Sequence, residues 1–415
     1  LILGFRPIAE SIVRGGPLRR IVELLPAPVF ERYAHTGVRR GAKHRELARR
    51  RLLPADALIS PRRRTSTSRR KVMEAHWRKM STVVAALGAG LAATAATASD
   101  NHIVVAGWQH PYFAPWEQAA ADAQKDFGIA SVAFKVPGGA KLELQIELME
   151  SQTAQGVKAM GIFPADPVGV NSTIAELKSN GVPVAALGGC AADPTDAVFC
   201  FATDPYKTTY AMTKALIAAI GGKGNIVHLT GLLIDTNTTL REQAVQKAVD
   251  ETNGAVTLMQ TVADTDDPVA GDQKINALLA SSRDRVDGII ATAHITSAVI
   301  AKSLRAIGDK RIKLVAFDDD QAVIDDVRDG FAVSTYVQNP YGQAYVGAYA
   351  LDLLASGACT MKVDAPWIKT PQTAHFIDSG VFEVTADKLD GYKDDLKKLT
   401  ADIQSKFKAA YMTCK

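Results

Sequence analysis

From about residue 100 to residue 356 the chain repeats one pattern, a short and almost unbroken apolar run followed by an amphipathic stretch long enough for a helix. Ile103–Gly107, Ala159–Phe163, Pro183–Leu187, Asn225–Leu229, Asp287–Ala291 and Lys313–Phe317 are such runs. Lys141–Gln155, Tyr206–Ile220, Thr296–Ile307 and Tyr341–Ser356 are among the helical stretches between and after them. Strands that are apolar without alternation are buried on both faces, and strands joined through helices lie parallel. About ten such units exceed one comfortable sheet. The expected fold is therefore α/β, with two doubly wound parallel-sheet lobes. No Pro/Ser-rich linker separates them, so the lobes should be joined by a multi-strand hinge.

Charge divides the chain differently. The net charge of +4 averages a basic first part with an acidic remainder. Residues 1–72 hold 18 Lys/Arg against 5 Asp/Glu, whereas residues 99–415 hold 28 against 38. The acidic part argues against a nucleic-acid partner. Between the two, Arg78 and Lys79 precede the small, apolar run Ser81–Ala93 and then Ala96-Thr97-Ala98. A basic start, an apolar run too short to span a bilayer and an A-x-A site make 73–98 a secretory signal peptide, cleaved after Ala98. Export to the periplasm follows. The Arg-rich residues 1–72 have no sustained apolar period and are read as translated sequence upstream of a start at Met73 or Met80.

All four cysteines, Cys190, Cys200, Cys359 and Cys414, lie in the exported part, where an even count points to disulfides. Three pairings are open. Asp193-Pro194 lets Ala191–Phe199 loop back, which favours Cys190–Cys200 and leaves Cys359–Cys414 to tie the tail to the body. No CxxC or paired-His spacing suggests a metal, and no cofactor motif is present.

In open parallel sheets, ligands bind beyond the carboxyl ends of the strands. After the first strand come Trp108, His110, Tyr112, Phe113 and Trp116; four aromatics in nine positions stand out in a chain only 7% aromatic. Aromatic faces suit the C–H faces of a sugar ring. Arg241, about one turn into a helix, offers a planar fork of donors to vicinal hydroxyls. Asp318 ends a strand and can accept two hydroxyl hydrogens, while Asp319 and Asp320 read as helix caps. Gln338 ends the last strand before Asn339-Pro340-Tyr341, and His294 is a further polar candidate. No GxSxG, HExxH or P-loop pattern supports an enzyme. Asp318 and Asp235 are candidate carboxylates for a glycosidase, but no sequence spacing supports a pair.

These residues resemble the periplasmic ribose/galactose-type sugar-binding proteins of ABC importers, which have the type I periplasmic binding fold. The ordered set is His110-Pro111-Tyr112-Phe113, Gly181-Val182-Pro183-Val184, Leu240-Arg241-Glu242, Val315-Ala316-Phe317-Asp318 and Val337-Gln338-Asn339-Pro340-Tyr341. The resemblance implies stacking by Tyr112 and Phe113, a polar contact from His110, and hydroxyl binding by Arg241, Asp318 and Gln338. It implies lobe exchanges near 201–204, 338–339 and 368–371. The first lobe would then hold 102–203 with 339–368, the second 204–338 with 369–380, and 381–415 would form a charged helical tail. A monomer that captures a monosaccharide or polyol and hands it to an ABC transporter permease is the implied activity. A periplasmic sensor presenting its ligand to a chemoreceptor is the alternative. A LacI-type sensing core would need a helix-turn-helix where the export signal lies. Gly188-Gly189 replaces the family's usual Asp-Arg pair, and reads either as extra room for a larger or substituted sugar or as the turn before Cys190.

Overall fold

The computed structural model describes residues 99–415. The expected start region 1–72 and the signal peptide at 73–98 lie outside the described residues.

The alternation resolves into regular βα units. The first lobe opens with β1 (Ser99–Ala106), α1 (Ala114–Phe127), β2 (Ile129–Lys135), α2 (Leu142–Ala154) and β3 (Ala159–Ile162). It continues through α3 (Asn171–Ser179), β4 (Val184–Leu187) and β5 (Cys200–Ala202). Gly128 closes α1 and Gly181 follows α3, both with φ in the left-handed region that lets a chain leave a helix and re-enter the sheet. The second lobe holds α4 (Pro205–Ala219), β6 (Gly224–Leu229), α5 (Thr236–Asp250), β7 (Val256–Val262), α6 (Pro268–Ser282) and β8 (Gly288–Ala291). It ends with α7 (His294–Ile307), β9 (Lys313–Phe317), α8 (Gln321–Asp329) and β10 (Ala332–Gln338). The chain then returns to the first lobe as α9 (Pro340–Ala355) and β11 (Cys359–Met361). Next come β12 (Phe376–Asp378), β13 (Val381–Val384), α10 (Tyr392–Tyr411) and β14 (Met412–Cys414).

Two six-stranded sheets result, ordered β12-β5-β4-β3-β1-β2 and β13-β10-β9-β8-β6-β7. All pairings within them are parallel except β10 with β13. β3, β4 and β8 are buried along their whole length, as strands covered by helices on both faces must be. Each sheet carries its own core, centred on Trp116, Phe199 and Leu351 in the first lobe and on Leu229, Ile289 and Leu314 in the second.

The chain passes from one sheet to the other after β5 and back after β10. A further crossing follows β12. Phe376–Asp378 pairs with β5 in the first sheet, so 369–380 belongs mostly to the first lobe and the chain crosses at Ser379-Gly380. The tail is also more than a surface helix, because Val381–Val384 adds an edge strand to the second sheet. Three-residue strands carry too little period to announce themselves in sequence. The three crossings are stitched together. Thr203 Oγ1 donates to Gly380 O at 3.1 Å, Asn339 Nδ2 to Ser379 O at 3.3 Å, and Thr400 Oγ1 to Asn339 Oδ1 at 3.1 Å.

Helix α10 lies over this hinge. Its first turn packs Tyr392 with Val337, Ile324 and Val384 of the second lobe. Its far end buries Phe407 at 5.6 Å from Phe199 in the first lobe's core. Both disulfides form, Cys190–Cys200 and Cys359–Cys414, the second joining the paired strands β11 and β14.

Candidate functional site

The carboxyl ends of both sheets face one cleft of about 360 Å³. On the second-lobe side, Asp235 caps α5 by accepting the Asn237 N–H at 2.9 Å, which starts the helix one turn before Arg241. Arg241 is only 7% exposed, its guanidinium lies 5.1 Å from the centre of the Phe317 ring, and its Nε has no partner. A buried guanidinium with unspent donors is expensive unless something completes it. Burial pushes the Asp235 carboxyl up, against the pull of Arg241 and the Asn237 amide.

Asp318 follows β9 with φ of 63°, a left-handed conformation that Asp tolerates better than most residues. That turn is held by its N–H donating to Tyr336 O at 2.9 Å and by Thr335 Oγ1 donating to its carbonyl at 2.6 Å. Its carboxylate accepts from Gln338 Nε2 at 3.0 Å and lies 3.5 Å from His294 Nδ1. Burial alone would lower the His294 pKa, but its hydrogen bond to Asp318 and the surrounding carboxylates hold it above the usual value. Beneath the floor, His228 Nε2 meets Thr292 Oγ1 at 2.8 Å, and Thr292 Oγ1 in turn donates to Thr230 Oγ1 at 3.0 Å.

The first lobe supplies an aromatic wall. Phe113 stands edge-on to Tyr112, Trp116 and Phe163 at 5.1, 5.0 and 5.3 Å between ring centres, and Trp108 lies 6.4 Å from Phe163. Gly107 permits this, since a Cβ there would sit 2.5 Å from the Phe113 ring. Tyr112 Oη donates to Gln343 Oε1 at 2.8 Å. Burial, followed by the nearby Asp318 charge, pushes the Tyr112 phenol well above its ordinary range, so it stays a neutral donor.

The lobes meet across this cleft. His110 Nε2 lies 3.3 Å from Asp266 Oδ2, and Asn237 Nδ2 donates to Gly188 O at 3.5 Å. Asp266 also accepts the Ile295 N–H at 2.8 Å. Although burial works against it, the hydrogen bond and charge of His110 bring the Asp266 carboxyl below its usual value.

Of the eight candidate residues, His110, Tyr112, Phe113, Arg241, His294, Asp318 and Gln338 all line the cleft. Trp116 does not. It is fully buried in the first lobe's core between Phe113 and Phe134, because it lies on the inward face of α1. Trp108, Phe163, Asp235, Asn237 and Asp266 line the cleft as well. Trp108 and Asp235 already stand out in the sequence, Phe163 and Asp266 follow β3 and β7, a position that could have found them, and Asn237 lies in the first turn of α5. The glycines do not leave the room that Gly188-Gly189 suggested. A Cβ at Gly188 would lie 3.1 Å from the Phe163 ring and 3.2 Å from Gln343 Oε1, so these side chains already occupy the space. Among the described residues no cluster of His, Cys, Asp and Glu could hold a metal ion, and no helix is long and apolar enough to cross a membrane.

The sequence profile of the periplasmic binding protein domain matches residues 101–359, which span both lobes and every polar residue of the cleft. The chain belongs to the periplasmic binding protein domain family. Relatives of this periplasmic binding protein include a xylitol-binding protein of Mycolicibacterium smegmatis, 22% identical over 258 residues, covering 62% of this chain and 72% of the relative. Among solved structures, an ABC transporter solute-binding protein of Burkholderia graminis in complex with D-arabinose is similar with a TM-score of 0.63. It is 20% identical, over 71% of this chain and 98% of that one. A glucose-galactose binding protein of Geobacillus stearothermophilus gives a TM-score of 0.59 at 17% identity, over 70% and 99%. These structures share the fold, two parallel-sheet lobes around a cleft.

Proposed function

We propose that this periplasmic binding protein captures a sugar or polyol between its lobes and delivers it to an ABC transporter. The observation that carries the reading is Arg241, buried with its Nε unpartnered, beside Asp318 and Gln338 and opposite an aromatic wall. Hydroxyls supply the acceptors Arg241 lacks and donate to Asp318, while aromatic rings cover the C–H faces of the ligand. Each hydroxyl buried without a partner would cost about 1–3 kcal/mol, which selects ligands whose hydroxyl pattern matches these groups. The named ligands of the relatives, xylitol and D-arabinose, support that chemistry.

Residues on both lobes contact the ligand only when the lobes are together, so binding favours the closed form. The transporter permease reads that closed surface. Catalysis plays no part in this reading, and the protein acts as an exported monomer released from the segment at 73–98. Isothermal titration of the purified protein against a panel of aldoses, ketoses and polyols tests the proposal. Micromolar or tighter binding of one or a few members without turnover is expected, with loss of about 2–4 kcal/mol on Arg241→Ala or Asp318→Ala. Product formation, or unchanged affinity in both variants, would refute it.

A further inference from the structure

The cleft is graded along its length. Moving away from the hinge, the second sheet runs β10, β9, β8, β6, β7, and its ends present Gln338, Asp318 and His294, then Asp235, and finally Pro268. The first sheet runs β4, β3, β1, β2 in the same direction and presents Gly188, Phe163, Trp108 and finally Ala140. Hydroxyl-binding groups therefore crowd the hinge end. The outer end is lined by Trp108, Ala140, Leu232, Ile234 and Pro268, with Gln109 and Asp267 as its polar members.

That outer wall is more apolar than a sugar needs. Ile234, which lines the cleft, is 60% exposed, and its neighbour Leu233 is 59% exposed. An exposed branched side chain in the lining of a cleft gains by meeting an apolar group. His110 Nε2, 3.3 Å from Asp266 Oδ2 and otherwise without a hydrogen-bond partner, lies nearer the hydroxyl-binding end, with its ring 6.0 Å from His294. The cleft volume of about 360 Å³ lies within the range of small-molecule pockets.

We propose that the physiological ligand is a sugar or polyol bearing an apolar substituent, aryl or branched alkyl. Its hydroxyls would face Asp318, Gln338 and Arg241, and its substituent would lie between Trp108, Ala140, Leu232 and Ile234. The inference rests on the sugar or polyol reading given above.

Titration of the wild-type protein with free D-xylose, D-arabinose, D-ribose and D-galactose, and with the methyl and phenyl glycosides of each in both anomers, tests it. For at least one sugar the phenyl glycoside should bind about tenfold or more tighter than the methyl glycoside, the gain from burying one aromatic ring. In the double variant Leu232→Ser, Ile234→Ser that ratio should fall to within about twofold of one. Free sugars that bind while every phenyl glycoside binds equally or more weakly than its methyl partner would overturn the inference and leave the capture reading standing. Failure of every sugar, polyol and glycoside to bind would remove the capture reading and this inference with it. The wild-type ratio decides the matter alone should the double variant fail to fold.

Discussion

Acidification tests the buried floor of the cleft through one histidine. His228 on β6 has no exposed surface, a hydrogen bond to Thr292 through Nε2 and no partner for Nδ1. Burial, aided by the positive charge of Arg241, lowers its pKa from 6.5 to about 3. Below pH 6.5 the unfolded chain takes up a proton here that the folded chain refuses until the pH nears about 3. The stabilisation is thus fully present above pH 6.5 and is lost as the pH falls through that window. At about pH 4.5, two of the 3.5 pH units between the pKa values have been crossed. With 1.36 kcal/mol per unit, that costs about 2.7 kcal/mol. Urea unfolding at about pH 8 and about pH 4.5 measures it, with His228→Gln as the reference that keeps a polar group near Thr292 but cannot titrate. The wild type should lose about 2–3 kcal/mol more than the variant over that interval. Equal losses in the two proteins would refute the argument, and an imidazole that NMR shows protonated near pH 5 would refute it more directly.

Further tests address closure, pH and the tail. Asp266→Asn removes the charge that faces His110 across the cleft, so ligand release followed by stopped-flow fluorescence should quicken about three- to tenfold with little change in association; unchanged release would remove this pair from closure. His294, raised above 6.5 chiefly by Asp318, contributes stability that is complete below pH 6.5 and lost as the pH rises through the elevated pKa. Thermal melts of wild type and His294→Gln between about pH 6 and pH 9 should therefore diverge at the acid end and converge at the alkaline end. Cys359→Ser with Cys414→Ser opens a loop of sequence separation 55, and chain entropy predicts a loss of about 4 kcal/mol in denaturant unfolding.

How much of this was legible in the sequence follows from what each feature depends on. The βα units were visible because parallel strands buried on both faces, such as Ala159–Ile162 and Gly288–Ala291, read as unbroken apolar runs. The cleft residues His110, Arg241, Asp318 and Gln338 were found by one topological rule, that ligands lie beyond strand ends. The same rule did not separate Trp116 from Tyr112, because four residues along one loop and helix take a side chain from the cleft into the core. Asp235 stood out in the sequence only as a glycosidase candidate and Asp266 not at all, because it is the fold that sets them beside Arg241 and opposite His110. The third crossing was misplaced because β12 and β13 are three and four residues long, and only their pairing partners define them.

Helix α10 gives the hinge a lever with unequal fastenings. Its 20 residues reach about 30 Å, so turning one lobe by about 10° moves the far end by about 5 Å relative to the other lobe. The carboxyl end cannot follow freely, because Cys414 is bonded to Cys359 and β14 is paired with β11. The amino end is held by the packing of Tyr392 and by its hydroxyl donating to Asp319 at 3.1 Å. Any lobe rotation would therefore be absorbed at the amino end, where the grip is reversible. Asp319 is the neighbour of Asp318, so the clasp that would yield if the lobes parted is one peptide bond from the carboxylate that faces the cleft.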